Sequence, residues 1–179
     1  MKKLSLQELN RKSIEAFRTA RKLPLVLVLD NIRSMHNIGA AFRIADAFLV
    51  EKIYLCGITA QPPHREIHKT ALGAEETVAW EYASDSSILL QHLKKNGYLI
   101  VGLEQTDKSL LLYDYPATED QKYALVVGNE VFGINEEALA ACDIALEIPQ
   151  YGTKHSLNVA VSMGIAVWEI AKRQLKRLS

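Results

Sequence analysis

The chain has 179 residues, 49% hydrophobic and 23% charged, with zero formal net charge, the profile of one soluble globular domain able to bury a sizeable core. No apolar run approaches the roughly 20 residues of a membrane span. The basic start MKKLSLQELNRKSIEAF lacks the apolar stretch and cleavage site of a signal peptide, and zero net charge argues against indiscriminate nucleic-acid binding.

The charge is unevenly spread. Residues 1–22 hold Lys2, Lys3, Arg11, Lys12, Arg18, Arg21 and Lys22 against Glu8 and Glu15, and residues 169–179 hold Lys172, Arg173, Lys176 and Arg177 against Glu169. The body between them has ten basic and eighteen acidic residues. Basic ends suit a phosphate backbone, or they are two solvated helical faces. Cys56 and Cys142 each sit in an apolar segment and read as reduced core thiols of a cytoplasmic protein.

In chain order, Leu6, Leu9, Ile14 and Phe17 predict an amphipathic helix over 4–22, ended by Pro24. LPLVLVL (23–29) is a continuous apolar run, the sign of a strand buried on both faces. A helix follows over 38–48 and a second strand over 52–57, while 60–76 is rich in turn residues. A helix over 84–96 opens at Ser84 or Asp85 and closes at Asn96–Gly97. Strands are predicted at 98–104, 123–128 and 143–148, with a short helix over 135–142 capped by Asn135. A helix from Ser156 to about Leu178 has Val159, Met163, Ala166 and Ile170 at its spacing, with Ser156 as its cap. Alternating strands and helices, with strands apolar on both faces, predict an α/β domain with a mostly parallel sheet. Ligands of such sheets sit at the carboxyl ends of the strands.

Three loops at those ends carry polar residues. After the first strand, Asp30 to Gly39 leads into a helix bearing Arg43, a plausible anion or ribose site. Asn37 could also cap that helix, but Arg43 among Ala and Phe needs a partner or a ligand. Gly128-Asn129-Glu130-Val131-Phe132-Gly133 suggests a loop that approaches a ligand through its backbone, or a tight turn. After the last strand, Pro149 to Asn158 places Asn158 in the first helical turn, where helix propensity does not explain it. His64 and His68 lie four apart but not as H-E-x-x-H, so no metal site is expected. His155 reads as a surface residue, and Trp80, Trp168 and the tyrosines read as core rather than as base-stacking platforms.

Together the loops resemble the SpoU (TrmH-like) family of RNA ribose 2′-O-methyltransferases, of the SPOUT superfamily. Asn37, Gly39 and Arg43 match its Asn-x-Gly-x-x-x-Arg motif, and Gly128, Asn129, Glu130 and Gly133 match Gly-Asn-Glu-x-x-Gly. Ile148, Pro149, Ser156, Leu157, Asn158 and Val159 match Ile-Pro followed by Ser-Leu-Asn-Val. The resemblance covers about 24 to 171. Ile44 replaces a frequent Thr and Ala160 a frequent Ser, and neither is a residue assigned to chemistry.

The resemblance implies a parallel α/β sheet whose C-terminal part threads into a deep trefoil knot. It implies S-adenosylmethionine as methyl donor, held by Gly128, Ile148 and Leu157, with Glu104 at a further strand end. Arg43, Asn37, Glu130, Ser156 and Asn158 are the expected catalytic residues. A bare guanidinium is a poor base, so Arg43 is expected to hold a phosphate and polarise the 2′-hydroxyl, whereas accounts of the family give this arginine the base role. A homodimer joined by the last helix is implied. The whole chain is expected to form one such domain, with a basic helical extension over about 1–22. The short extensions favour tRNA over rRNA. The alternatives are a non-catalytic RNA-binding protein that keeps the fold and an enzyme acting on a small metabolite.

Overall fold

A computed structural model describes residues 1–5, 7–172 and 174. Seven parallel strands form one sheet in the order β3-β2-β1-β6-β4-β7-β5. They are β1 (Leu23–Asp30), β2 (Val50–Cys56), β3 (Trp80–Ala83), β4 (Tyr98–Leu103), β5 (Leu110–Leu111), β6 (Lys122–Val127) and β7 (Ile144–Glu147). The helices are α1 (Ile14–Thr19), α2 (Met35–Ala47), α3 (Arg65–Ala71), α4 (Ala74–Thr77), α5 (Ser86–Lys95), α6 (Glu136–Ala141) and α7 (Val159–Ala171). The α/β class and the parallel sheet agree with the sequence expectation.

The run LPLVLVL is buried as its composition demands. Side chains alternate across a strand, so Leu25, Leu27 and Leu29 pack into one core with Ile38, Phe42 and Met163. Val26 and Val28 face the opposite core with Leu90, Leu93 and Ala138. The sheet is thereby covered on both faces. Gly39, read from sequence as part of a ligand loop, lies inside α2. A Cβ there would meet Thr70 Oγ1 at 2.0 Å and the Ile67 carbonyl oxygen at 2.5 Å, so this glycine lets α3 pack closely against α2.

Several expectations need correction. The helix predicted over 4–22 shrinks to α1. Asn10 takes a left-handed φ of 45° and breaks the run, Ser13 starts a new helix by accepting the Ala16 N–H, and only Phe17 is buried there. Leu6 lies outside the described residues. The turn-rich segment 60–76 contains α3 and most of α4, and it leads into an unpredicted edge strand, β3. His64 caps α3 by accepting the Glu66 N–H, while His68 pairs with Glu75. Helix α5 takes Asp85 as its cap, one of the two residues left open.

Trp168 is not core. It is 53% exposed and rests its ring on Phe48. Tyr82, Tyr113 and Tyr151 are exposed as well. The last helix begins at Val159, not Ser156, and is described to Ala171; Arg173, Lys176 and Arg177 of the basic end lie outside the described residues. Both cysteines are free, Cys56 buried and Cys142 half-buried, and desolvation pushes each thiol up to about 12.

Candidate active site

From β1 the chain winds outward through β2 and β3, then returns through β4 and β6 on the other side of β1. The reversal of winding leaves a crevice at the carboxyl ends of β1, β6, β4 and β7. The three loops singled out from the sequence all meet there.

Glu130 joins the first two loops. Its carboxylate accepts N–H bonds from Arg33 (3.0 Å) and Ser34 (3.0 Å) and one from the Asn37 side-chain amide (2.8 Å). Burial pushes the carboxyl up, but the donors on Arg33, Asn37 and Ser34 outweigh it and hold it below its ordinary value. Asn37 does not cap α2. Ser34 does, accepting the Asn37 N–H, which leaves the Asn37 side chain free for Glu130.

The same amide reaches the third loop. Asn37 Oδ1 accepts from Asn158 Nδ2 at 3.1 Å. Asn158 Oδ1 accepts the N–H groups of Ala160 (2.9 Å) and Val161 (3.3 Å) and so caps α7. This corrects the assignment of the cap to Ser156 and explains Asn158: one amide caps a helix and donates to the neighbouring loop. A continuous line of hydrogen bonds thus runs from Glu130 through Asn37 to Asn158, and from there into α7.

Beside this line lies a cleft of about 290 Å³, lined by Glu104, Gly128, Glu130, Ile148, Ser156 and Leu157 together with Leu103, Val127, Leu146 and Val159. All four expected donor-binding residues are on its wall. Of the five expected catalytic residues, Glu130 and Ser156 line it; Asn37 bonds to Glu130, and Asn158 bonds to Asn37. Ser156 is exposed and takes no part in the hydrogen-bonded line.

Arg43 differs from its sequence reading. It is exposed on α2 rather than buried among Ala and Phe, because helical periodicity turns it away from Ala41, Phe42 and Ala45, which are buried. Among the described residues its guanidinium has no hydrogen bond or ion pair.

The loop after β6 closes on itself. Asn129 and Gly133 exchange backbone hydrogen bonds of 2.9 Å in both directions. A Cβ on Gly128 would sit 2.1 Å from the Gly133 carbonyl carbon and the Ile134 nitrogen. Gly128 is therefore required by the loop's own return. Glu104 braces this turn, its carboxylate accepting the Ile134 N–H at 3.1 Å.

Sequence reasoning did not single out Asp30. It is fully buried at the end of β1 and accepts from Asn31 (2.9 Å), Ser86 (2.8 Å) and the Asn135 N–H (2.8 Å). Asn31, at a left-handed φ of 57°, offers its carbonyl to Asn129 Nδ2 at 2.8 Å. Asp30 thereby anchors the floor beneath the first two loops. Its signal in the sequence was an acidic residue closing an otherwise apolar strand.

Glu130→Gln replaces a carboxylate surrounded by donors with an amide that offers only one acceptor. The expected loss in Tm at neutral pH is about 2–6 °C. The folded-state carboxyl titrates lower than the unfolded one, so its stabilisation is complete above the ordinary carboxylate value of about 4.3 and is lost as pH falls through the folded value. The Tm gap between wild type and variant, followed by calorimetry from pH 7 downward, is expected to narrow below about pH 4. A gap independent of pH would contradict this assignment.

A family profile described as the SpoU rRNA Methylase family matches residues 24–168. The 23S rRNA (guanosine-2′-O-)-methyltransferase RlmB of Neisseria meningitidis serogroup B is 33% identical over 152 residues, covering 85% of this chain and 60% of that protein. The chain thus spans less than two thirds of that relative's length. The crystal structure of A. aeolicus TrmH/SpoU tRNA modifying enzyme superposes with a TM-score of 0.78 at 29% identity, over 92% of this chain and 81% of that one. The SpoU methyltransferase AviRb from Streptomyces viridochromogenes, solved in complex with the cofactor AdoMet, has the same fold, with a TM-score of 0.78 at 21% identity over 89% of this chain and 64% of its own. With its three motif loops gathered at one end of the sheet and most of its length matched, the chain belongs to the SpoU rRNA methylase family.

Proposed function

We propose that this protein transfers the methyl group of S-adenosylmethionine to a ribose 2′-hydroxyl in RNA. The observation that carries the reading is the hydrogen-bonded line Glu130–Asn37–Asn158, which ties a ligand-sized cleft to the helix bearing Arg43, an arginine without a partner among the described residues. The cleft's chemistry fits the donor. Leu103, Val127, Leu146, Ile148 and Val159 offer apolar wall, and Glu104, Glu130 and Glu147 offer carboxylates to a sulfonium and an ammonium. Gly128, Ile148 and Leu157 are proposed to hold the donor mainly through backbone, with Glu104 contributing its carboxylate.

When bound, the donor supplies an electrophilic methyl group, and the chain's residues have to align a hydroxyl with it and assist loss of the proton. Arg43 is proposed to bind the phosphate beside the target ribose and to polarise the 2′-hydroxyl. Asn37, Glu130 and Asn158 position α2 against the cleft. Ser156, which lines the cleft, is proposed to bond the ribose or the donor.

The basic N-terminal extension of this single-domain reading is proposed to grip RNA. Lys3, Arg11, Lys12 and Arg21 are exposed there and have no hydrogen bond or ion pair among the described residues. A homodimer is proposed through α7, where Val161 (52% exposed), Ile165 (40%) and Trp168 (53%) form an apolar stripe. A cytoplasmic location follows from the substrate.

The lean toward tRNA, drawn from the short termini, gains no support. The curated relative is named for 23S rRNA, and ribosomal RNA is the favoured substrate.

The test is transfer of labelled methyl from S-adenosylmethionine to rRNA and, separately, to tRNA, each from cells lacking this gene, followed by nucleoside analysis. Label as 2′-O-methylated nucleoside in rRNA is expected. Donor binding without label in either pool would favour a non-catalytic RNA-binding protein. In the same assay Arg43→Ala should lower kcat by at least about a hundredfold and leave the donor Kd unchanged; near-normal turnover would remove Arg43 from the chemistry.

A further inference from the structure

Phe132 is 84% exposed, and Val131 beside it is 68% exposed. The loop that carries them is nonetheless fixed. Asn129 Oδ1 accepts the N–H groups of Val131 (2.9 Å) and Phe132 (3.2 Å). The same amide donates to the Asn31 carbonyl at 2.8 Å, and Asn129 and Gly133 close the loop through their backbones. A turn held by these bonds therefore presents a bare phenyl ring to water, and nothing in the described core uses that ring.

Its surroundings indicate what it meets. Glu130 and Val131, two places and one place before it, line the donor cleft. Glu130 also receives the backbone N–H of Arg33, so the ring stands at the rim where the loops after β1 and β6 join. Arg33 and Arg43 are both exposed, and among the described residues neither guanidinium has a partner. Position favours RNA as the occupant: the ring's chain neighbours Glu130 and Val131 line the cleft that the RNA 2′-hydroxyl must reach. An exposed aromatic ring on a loop bonded to the backbone of an arginine-bearing loop offers a stacking face for an unstacked nucleobase, with cations on the adjoining loop and helix for its phosphates.

We infer that Phe132 stacks on a nucleobase of the RNA, that of the target nucleotide or of its neighbour, and thereby holds the ribose 2′-hydroxyl over the cleft. This rests on the methyltransferase reading above. The contact moves no proton and forms no bond, so its loss should weaken RNA capture and spare donor binding.

The experiment is steady-state methyl transfer to rRNA from cells lacking the gene, with wild type, Phe132→Ala, Phe132→Leu and Phe132→Trp. Loss of the ring in the Ala and Leu variants is expected to raise the KM for RNA about tenfold, with the donor Kd unchanged by calorimetry. Phe132→Trp, which keeps a π face, should return the KM to within about threefold of wild type. A wild-type KM in the Ala or the Leu variant would overturn the stack. So would a change in sedimentation of Phe132→Ala, which would show the ring covered by a second copy. If wild type labels no RNA, the methyltransferase reading itself fails. Fluorescence anisotropy of a short poly(A) oligoribonucleotide then decides separately: weaker binding by Phe132→Ala upholds the stack, and equal binding overturns it.

Discussion

The end of the sheet where the three loops meet depends on one carboxylate. Glu130 leaves the loop after β6 and takes three N–H donors from the loop after β1, two from backbone and one from Asn37. Without an acceptor there, the Arg33 and Ser34 N–H groups at the start of α2 would be left to solvent, and the Asn37 amide would have no reason to point toward Asn158. The carboxylate suits the task because it only accepts, and every group it faces only donates. It also sits near the first turn of α2, where the helix dipole favours negative charge.

From that point the geometry propagates in two directions. Asn37 passes the constraint to Asn158, whose own carbonyl oxygen caps α7. Beneath, Asp30 and Asn31 fix the floor, and Asn129 ties the β6 loop to that floor. The cleft wall and the helix bearing Arg43 are therefore parts of one hydrogen-bonded assembly. Alignment within the proposed methyl-transfer site tolerates little error, and short polar side chains bonded in series supply rigidity that surface loops otherwise lack.

Much of the sheet was legible because strands buried on both faces cannot be mistaken for amphipathic ones. LPLVLVL, YLIVGL and YALVV are such runs, and their ends put the polar loops in view. The edges were harder. β3, with Glu81 and Tyr82 exposed, carries little of that apolar signal. Helices α3 and α4 are short and begin at His64 and Gly73, which are weak sequence markers. The N-terminal helix failed for the opposite reason: its apolar spacing was real, but only Phe17 finds a core to enter.

In the site, residue types pointed to the right loops but not to each residue's task. Asn37 and Ser34 could both cap α2, and only the position of Glu130 decides between them. Ser156 looked the better cap for α7, yet Asn158 has the added attraction of Asn37. Gly39 and Gly128 read as glycines of the ligand loops, and the structure gives each a further reason, close approach of protein to protein. Arg43 was noticed because it seemed misplaced in a core; in fact it is exposed, and its lack of a partner among the described residues is what makes it available.

The claim that the three loops act as one unit is tested most directly by a double-mutant cycle between Asn37→Ala and Asn158→Ala, measured by denaturant unfolding. Bonded partners are expected to show a coupling energy of about 0.5–3 kcal/mol, the double variant being less destabilised than the sum of the singles. Additivity within about 0.3–0.5 kcal/mol would mean that the two amides do not communicate, and the continuous line from Glu130 to α7 would have to be abandoned.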